Sequence, residues 1–300
     1  MSEKVGFVGL GNMGLPIAIR LLEAGYAVVG CDTRESQKGP FTAKGGSWVG
    51  TPAEVAAQCE IVMVSLPTPA SVEQVALGNG GLTEGAKIKI YVDLSTTGPT
   101  AARKVAGLLG KRQIVAMDAP VSGGVAGAAK GTLSIMVSGP KPAFERIRTM
   151  MAAFGKPPFY VGEEAGQGQL MKLINNLLSA TTLAASCEAL SLGIKGGLHP
   201  ETMLTVLNAS TGKSGATEDK IPRYILPGKP IDFNLGLSFK DVSLAVQAGE
   251  EMSVPMAMGR ATWQIWQHAV CKGGVDQDMM DVAKCIEAWA NVKLYGSCAD

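Results

Sequence analysis

VGFVGLGNMGLPIAIRLLEAGYAVVGCD, residues 5–32, decides the fold. Val5-Gly6-Phe7-Val8 is a short apolar run that reads as a strand. It enters Gly9-Leu10-Gly11-Asn12-Met13-Gly14, and a helical pattern follows from about Leu15 to Ala24, closed by Gly25. A second strand, Tyr26 to Cys31, ends at Asp32. A GxGxxG alone is a weak signal, but strand, glycine loop, helix, strand and acid within about thirty residues form the context in which a dinucleotide is held. Gly9 permits the tight turn, Gly11 lets a pyrophosphate approach the backbone, and Gly14 lets helix and strand pack closely. The N–H groups at the helix start then face the phosphates. Asp32 would accept from the adenosine ribose hydroxyls and repel a 2′-phosphate, which favours NAD; Arg34 beside it keeps NADP as the alternative. The competing reading, a glycine turn that binds nothing, explains the loop but not its context.

The same alternation continues outward. Thr51-Pro52-Ala53-Glu54 reads as a capped helix start. Strands are expected at Ile61–Leu66, Ile88–Leu94, Ile114–Ala119, Leu133–Ser138 and Phe159–Val161. Between them, Ser71 is expected to cap a helix, another runs to about Leu109, and Pro142 starts one ending near Gly155. Repeated units of apolar strand and helix imply a parallel sheet buried on both faces, with its ligand beyond the carboxyl ends of the strands. Leu66-Pro67, Ser95-Thr96-Thr97 and Val121-Ser122-Gly123-Gly124 fall there. Ser122-Gly123-Gly124 has two readings: a flexible turn, or bare N–H groups and a hydroxyl that cradle an anion.

Between Gly168 and Gly193 the chain has no Gly or Pro, and its apolar residues step as in a helix buried on much of its surface. Such a helix is roughly 39 Å long, enough to bridge two domains. Lys172, Asn175, Asn176, Glu188 and several Ser and Thr interrupt the run, which argues against a membrane span. Lys172 and Asn176, four apart, share a face. On residue type alone Lys172 is either a snorkelling surface cation or a functional lysine.

Beyond Gly193 the patterns are helical, at about Leu237–Ala248, Pro255–Gln267 and Met280–Leu294, with breaks at His199-Pro200, Ser210–Gly215 and Ile221–Asn234. The expected division is residues 1–164 as a Rossmann-type, doubly wound α/β domain, 165–194 as an interdomain helix and 195–300 as an all-α domain. Phe239-Lys240-Asp241 opens one of its helices, and a Lys–Asp pair is by itself more often structural. The 300 residues are 46% hydrophobic and 18% charged with a net charge of +1. That is a globular composition without the basic stripe of a nucleic-acid binder. Six cysteines without metal spacing point to a reducing compartment, and the N-terminus resembles no targeting segment, so a cytoplasmic protein is expected. The two histidines, His199 and His268, lack an orienting partner in sequence and read as structural.

Four segments resemble the β-hydroxyacid dehydrogenase family, which includes 3-hydroxyisobutyrate dehydrogenases and tartronate semialdehyde reductases. They are Gly6–Gly14, Asp118–Gly124 (DAPVSGG), Gly168–Asn176 (GQLMKLINN) and Phe239–Asp241, and the resemblance extends over about residues 5 to 295. It implies that Gly9, Gly11, Asn12, Met13, Gly14 and Asp32 hold the nicotinamide cofactor, with Leu66, Pro67 and Thr96 on the nicotinamide side. It implies that Lys172 is the general acid/base, that Asn176 helps to hold the substrate and that Ser122, Gly123 and Gly124 bind its carboxylate. Lys240 would lie near both nicotinamide and substrate. The implied activity is interconversion of a small 3-hydroxy acid and its semialdehyde, without a metal. A free lysine titrates near 10.4, so burial, the helix start and an oxidised nicotinamide are expected to lower its value. Asn175 and the chain length depart from 6-phosphogluconate dehydrogenases, and Lys172 argues against imine reductases. The alternatives are an NADP-preferring semialdehyde reductase, or a silent binding module that keeps the fold. A homodimer or homotetramer is expected from the helical second domain.

Overall fold

The computed structural model describes residues 3–298. The chain forms two compact units, one ending at Lys172 and one beginning at Leu173.

The first unit opens with β1 (Lys4–Val8), α1 (Gly14–Glu23), β2 (Ala27–Cys31), α2 (Lys38–Thr42), β3 (Ser47–Trp48), α3 (Pro52–Ala56), β4 (Ile61–Val64) and α4 (Pro69–Leu77). It continues through β5 (Ile90–Asp93), α5 (Pro99–Gly110), β6 (Val115–Asp118), β7 (Val121–Ser122), α6 (Gly124–Lys130), β8 (Ser134–Ser138), α7 (Lys141–Met151) and β9 (Phe159–Gly162). The sheet order is β3-β2-β1-β4-β5-β6-β8-β7, with β9 also on β8. The strands from β3 through β6 are parallel, as expected for a doubly wound sheet. The β8 strand runs antiparallel to β6 and β7.

Alternation explains why both faces are covered. In β4, Ile61 and Met63 join one apolar cluster with Phe7, Leu10 and Ile17. Val62 and Val64 join the opposite cluster with Val8, Val29 and Val55. Successive side chains of a strand point to opposite faces, so a run of four apolar residues demands a layer on each side.

Two glycines fix the first turn. Gly9 has φ +90°, a conformation that side chains rarely adopt. A Cβ on Gly14 would lie 1.8 Å from the Gly9 carbonyl oxygen, so only glycine lets α1 start this close to β1.

Some local expectations change. Thr68, not Ser71, is the N-cap of α4: its hydroxyl accepts from Ser71 N–H at 3.1 Å, while Ser71 Oγ accepts from Thr68 N–H at 3.1 Å. Ser71 is therefore the third-position half of a reciprocal capping pair, with Pro69 opening the helix. The short β3 and β7 were not expected, because two residues carry no periodicity. The helix expected from Pro142 begins at Lys141 and ends at Met151.

Helix α8 (Gln167–Lys195) has 29 residues, about 44 Å, and the division between the units falls inside it. Its length and composition would suffice to cross a membrane. Yet Leu183, Cys187 and Leu190 are fully buried in the apolar cluster of the second unit. That unit continues with α9 (Pro200–Asn208), a π-helix (Ala216–Ile225), α10 (Leu235–Glu251), α11 (Ala257–Gly273) and α12 (Val282–Ala290). Trp266 is fully buried at its centre and donates to Ser238 Oγ at 2.8 Å. The π-helix covers the first residues, Ile221 to Ile225, of the break expected from Ile221 to Asn234. The Leu226 N–H reaches back five residues to the Ile221 carbonyl at 2.9 Å, and the wider turn takes Pro222 inside it. The last expected helix, to Leu294, stops at Ala290, where Asn291 adopts a left-handed conformation at φ 48°.

Gly14→Ala is expected to lower stability to urea by at least about 1–3 kcal/mol, the usual range for forced overpacking. Gly25→Ala, whose Cβ would meet nothing within 4 Å, carries only the cost of its positive φ and serves as the control.

Candidate active site

The glycine loop is braced from the next strand. Asp32 Oδ2 accepts from the Leu10 N–H at 2.7 Å, and its Oδ1 accepts from the Arg34 N–H at 2.8 Å. The Arg34 guanidinium pairs with the same carboxylate at 3.2 Å and lies where a Gly11 side chain would begin. No side chain caps α1, and the Leu15 N–H in its first turn is taken by the Gly11 carbonyl at 3.0 Å. The bare loop, the uncapped helix start and the acid after β2 fit a dinucleotide. Asn12 and Met13 lie in this turn, between the glycine that clears the approach and the first helical residue.

The loops after β4 and β5 are joined to each other and to the start of α8 by buried polar contacts. Leu66 N–H donates to Ser95 Oγ at 2.9 Å, which ties the Leu66-Pro67 segment to the Ser95-Thr96-Thr97 segment. Ser95 N–H donates to Asp93 Oδ1 at 2.9 Å, and Thr97 Oγ1 to Asp93 Oδ2 at 3.4 Å. Gln169, fully buried at the start of α8, completes the joint. Its Oε1 accepts from the Thr97 N–H at 2.9 Å, and its Nε2 donates to the Ser95 carbonyl at 2.9 Å.

A second carboxylate holds the same helix start. Asp118 Oδ2 accepts from the Gly166 N–H at 2.6 Å and from Ser138 Oγ at 2.9 Å, and Ser138 Oγ accepts from the Gly168 N–H at 2.8 Å. Asp118 thus acts as a cap supplied from a strand, a negative charge at the positive end of α8. A Cβ on Gly168 would lie 2.9 Å from that of Asp118, so the close approach needs this glycine. Asp93 and Asp118 face one another in register on β5 and β6. Burial pushes both carboxyls up, Asp93 to about 6, and the hydrogen bonds from Ser95 and Ser138 oppose it.

Lys172 follows Gln169 by three residues and is 8% exposed, so the snorkelling reading fails. Asn176 is one turn further along the same face. In the second unit its amide is oriented: Nδ2 donates to Asp241 Oδ2 at 2.7 Å and Oδ1 accepts from Asn175 Nδ2 at 3.0 Å. Asp241 also pairs with Lys240 at 3.1 Å, so the expected structural pair exists and includes the residue that aims Asn176. Ser122 ends β7 opposite Ser134 on β8, followed by Gly123 at φ +130° and Gly124 at φ +64°. No side chain caps the start of α6 at that turn. His199 is exposed, and the His268 ring lies 5.0 Å from that of Trp289, tilted at 60°. No cluster of metal-ligating side chains occurs among the described residues.

Sequence reading missed Asp93, Ser138 and Gln169 as site-building residues, and it gave Asp118 and Asp241 no separate role. Asp118, Gln169 and Asp241 lie inside the motifs quoted above; Asp93 and Ser138 end strands, and nothing in sequence marks them.

Comparison with known proteins agrees with this geometry. Residues 4–162 match the family described as the NAD binding domain of 6-phosphogluconate dehydrogenase. Residues 166–286 match that described as the NAD-binding of NADP-dependent 3-hydroxyisobutyrate dehydrogenase. The chain is 38% identical over 297 residues to a 2-(hydroxymethyl)glutarate dehydrogenase from Eubacterium barkeri, covering 98% of each chain. It is 33% identical over 290 residues to the human mitochondrial 3-hydroxyisobutyrate dehydrogenase, covering 94% of this chain and 86% of that one. Among solved structures, a Mycobacterium tuberculosis 3-hydroxyisobutyrate dehydrogenase with L-serine superposes with a TM-score of 0.88 at 29% identity, covering 95% and 99% of the two chains.

The buried Asp93 sets a pH dependence. Its native value of about 6 lies above the ordinary carboxyl value of about 3.9, so the folded chain holds a proton that the unfolded chain releases. The stabilisation is full below about pH 4 and is lost as pH rises through about 6, for a total of up to about 3 kcal/mol. Asp93→Asn lacks this titration. Its urea stability relative to wild type should therefore improve by about 1–3 kcal/mol between pH 4.5 and pH 8.

Proposed function

The chain belongs to the β-hydroxyacid dehydrogenase family, and from that premise we propose that it interconverts a small 3-hydroxy acid and its semialdehyde with NAD, using Lys172 as general acid/base. The observation that carries this reading is a lysine with 8% exposure one turn past a helix start held by two buried side chains, Asp118 and Gln169. A cation so placed is not a solvated surface group.

The nicotinamide, when bound, takes or gives the hydride, and the remaining work falls to protein side chains. In the oxidative direction the Lys172 amine accepts the hydroxyl proton as hydride leaves the same carbon. In reduction its ammonium returns that proton to the forming alkoxide. Asn176, aimed by Asp241, holds the substrate from the same helix face. The N–H groups of Gly123 and Gly124 and the Ser122 hydroxyl receive the carboxylate. Lys240, held by Asp241, supplies a further positive charge to substrate and cofactor. Leu66, Pro67 and Thr96, on the joined loops, flank the nicotinamide.

The NAD preference rests on Asp32, whose carboxylate after β2 would accept from the ribose hydroxyls and repel a 2′-phosphate. Arg34 is the countervailing group, but it is paired to that same carboxylate. Relatives named for 3-hydroxyisobutyrate and 2-(hydroxymethyl)glutarate support a substrate whose hydroxyl is β to a carboxylate. Unpaired thiols, with Cys31, Cys59, Cys187 and Cys285 buried, support a reducing, cytoplasmic setting. Leu178 at 60% and Leu192 at 76% exposure on α8 support a homo-oligomer that covers them.

Lys172→Ala is expected to lower turnover by about 10²–10⁴-fold with NADH affinity, read by nucleotide fluorescence, unchanged. Weak cofactor binding with normal turnover at saturation would overturn the assignment. Asp32→Ala is expected to reduce the preference for NADH over NADPH at least about tenfold in kcat/KM. It should also lower thermal stability, because the Leu10 N–H loses its acceptor.

A further inference from the structure

Thr96 is gripped on both sides by one side chain. Gln169 Oε1 accepts from the Thr97 N–H at 2.9 Å and from the Gly98 N–H at 3.4 Å, and Nε2 donates to the Ser95 carbonyl at 2.9 Å. The Ser95 carbonyl belongs to the peptide group before Thr96, and the Thr97 N–H to the one after it. A single amide therefore fixes both peptide planes around Thr96. Ser95 and Thr97 are buried, whereas Thr96 between them stays partly open. Only a group that both donates and accepts can make this grip: a carboxylate cannot donate and an ammonium cannot accept.

Both ends of the grip are anchored. Gln169 is fully buried, and its own N–H faces Asp118 Oδ2 at 3.5 Å. The residue before it, Gly168, donates its N–H to Ser138 Oγ at 2.8 Å. On the loop side, the Ser95 N–H and Thr97 Oγ1 both donate to Asp93. Lys172 comes three residues after Gln169, a rise of about 4.5 Å along the helix. Both residues belong to the first unit, as does the Thr96 loop. The backbone of Thr96 is thus linked to that of Lys172 through less than one turn of helix and the hydrogen bonds of one side chain.

We infer that Gln169 is a positioning residue for hydride transfer: by fixing the backbone on both sides of Thr96, it sets where the nicotinamide ring rests relative to the Lys172 amine. The inference rests on the reading that Thr96 flanks the nicotinamide and that Lys172 moves the proton. Gln169 touches neither cofactor nor substrate in this role. Its loss leaves the glycine loop intact and alters the reacting geometry, where a misplacement of about 1 Å can cost about 10²-fold in rate. The other reading makes Gln169 a tie that stabilises the fold and does nothing for the reaction.

The test uses the full chain with Gln169→Met, which keeps the length and removes both polar functions, and with Gln169→Glu. The carboxyl introduced by Gln169→Glu mimics the amide when protonated, because its O–H donates while its carbonyl accepts, and it loses the donor when ionised. Burial and the neighbouring Asp93 and Asp118 push its titration above the ordinary value of about 4.3, with Lys172 opposing them. Turnover of 3-hydroxyisobutyrate with NAD is measured with and without deuterium on the hydroxymethyl carbon. NADH affinity and the fluorescence lifetime of bound NADH are measured alongside. Gln169→Met should lower kcat by about 10- to 100-fold, with a deuterium isotope effect on kcat at least as large as in wild type. NADH affinity should stay near wild type, and the lifetime should shorten as the ring loses its fixed neighbour. In Gln169→Glu, kcat relative to wild type should recover as pH falls. Normal kcat in Gln169→Met, or a loss in Gln169→Glu that does not vary with pH, would overturn the inference and leave the tie. If Gln169→Met does not fold, the pH profile of Gln169→Glu decides alone. If wild type turns over no hydroxy acid, the activity reading fails by itself. The NADH lifetime in Gln169→Glu then still decides: recovery at low pH supports positioning, and a wild-type lifetime at every pH overturns it.

Discussion

The first turn of α8 is held by side chains from two strands and by the backbone of the loop after β5, and this constraint organises the first unit. Helix starts leave N–H groups without partners, and here strands supply the acceptors. Asp118 and Ser138 take the N–H groups of Gly166 and Gly168. Gln169 turns the other way and binds the loop after β5. Ser95 passes the connection to the loop after β4. Two loops and the helix start are therefore tied together, with Lys172 one turn further on. Leaving any of these buried groups unpaired would cost about 1–3 kcal/mol, so the arrangement is specified as well as stable.

The cost of this device is two carboxylates side by side in a dry interior. Asp93 and Asp118 oppose each other in register, and burial raises both. Hydrogen bonds from Ser95, Thr97 and Ser138 offset part of that penalty without removing it. Such a buried ionisable pair couples local order to pH. In the second unit, the Asn176–Asp241–Lys240 contacts do the corresponding work. There a single carboxylate both orients an amide and neutralises a lysine.

What could be read from sequence was local. The glycine loop, the apolar strands and the long helix announce themselves through spacing within about thirty residues. The Thr68 cap was missed in favour of Ser71, although Pro69 directly after Thr68 marks the first helical position. The polar joint was not legible. Gln169 meets residue 97 across 72 positions, and Asp118 meets Ser138 only because β8 runs antiparallel beside β6. Nothing in the periodicity of either strand fixes that register. The π-helix was hidden for another reason: Pro222 signals a break in an α-helix, and the sequence offers no sign that a wider winding will accept it. Lys172 was the intermediate case, visible as a misfit on an apolar helix but given a role only by family resemblance.

Asp32 bears on how proteins of this kind change over time. Its carboxylate serves the loop through the Leu10 N–H and, on the reading proposed above, also tells the coenzymes apart. On that reading a single substitution there alters recognition and loosens the turn together. A descendant lineage that adopts a different coenzyme must therefore first acquire another acceptor for that N–H, or spare stability elsewhere. The order in which mutations can be fixed is constrained by one hydrogen bond of 2.7 Å.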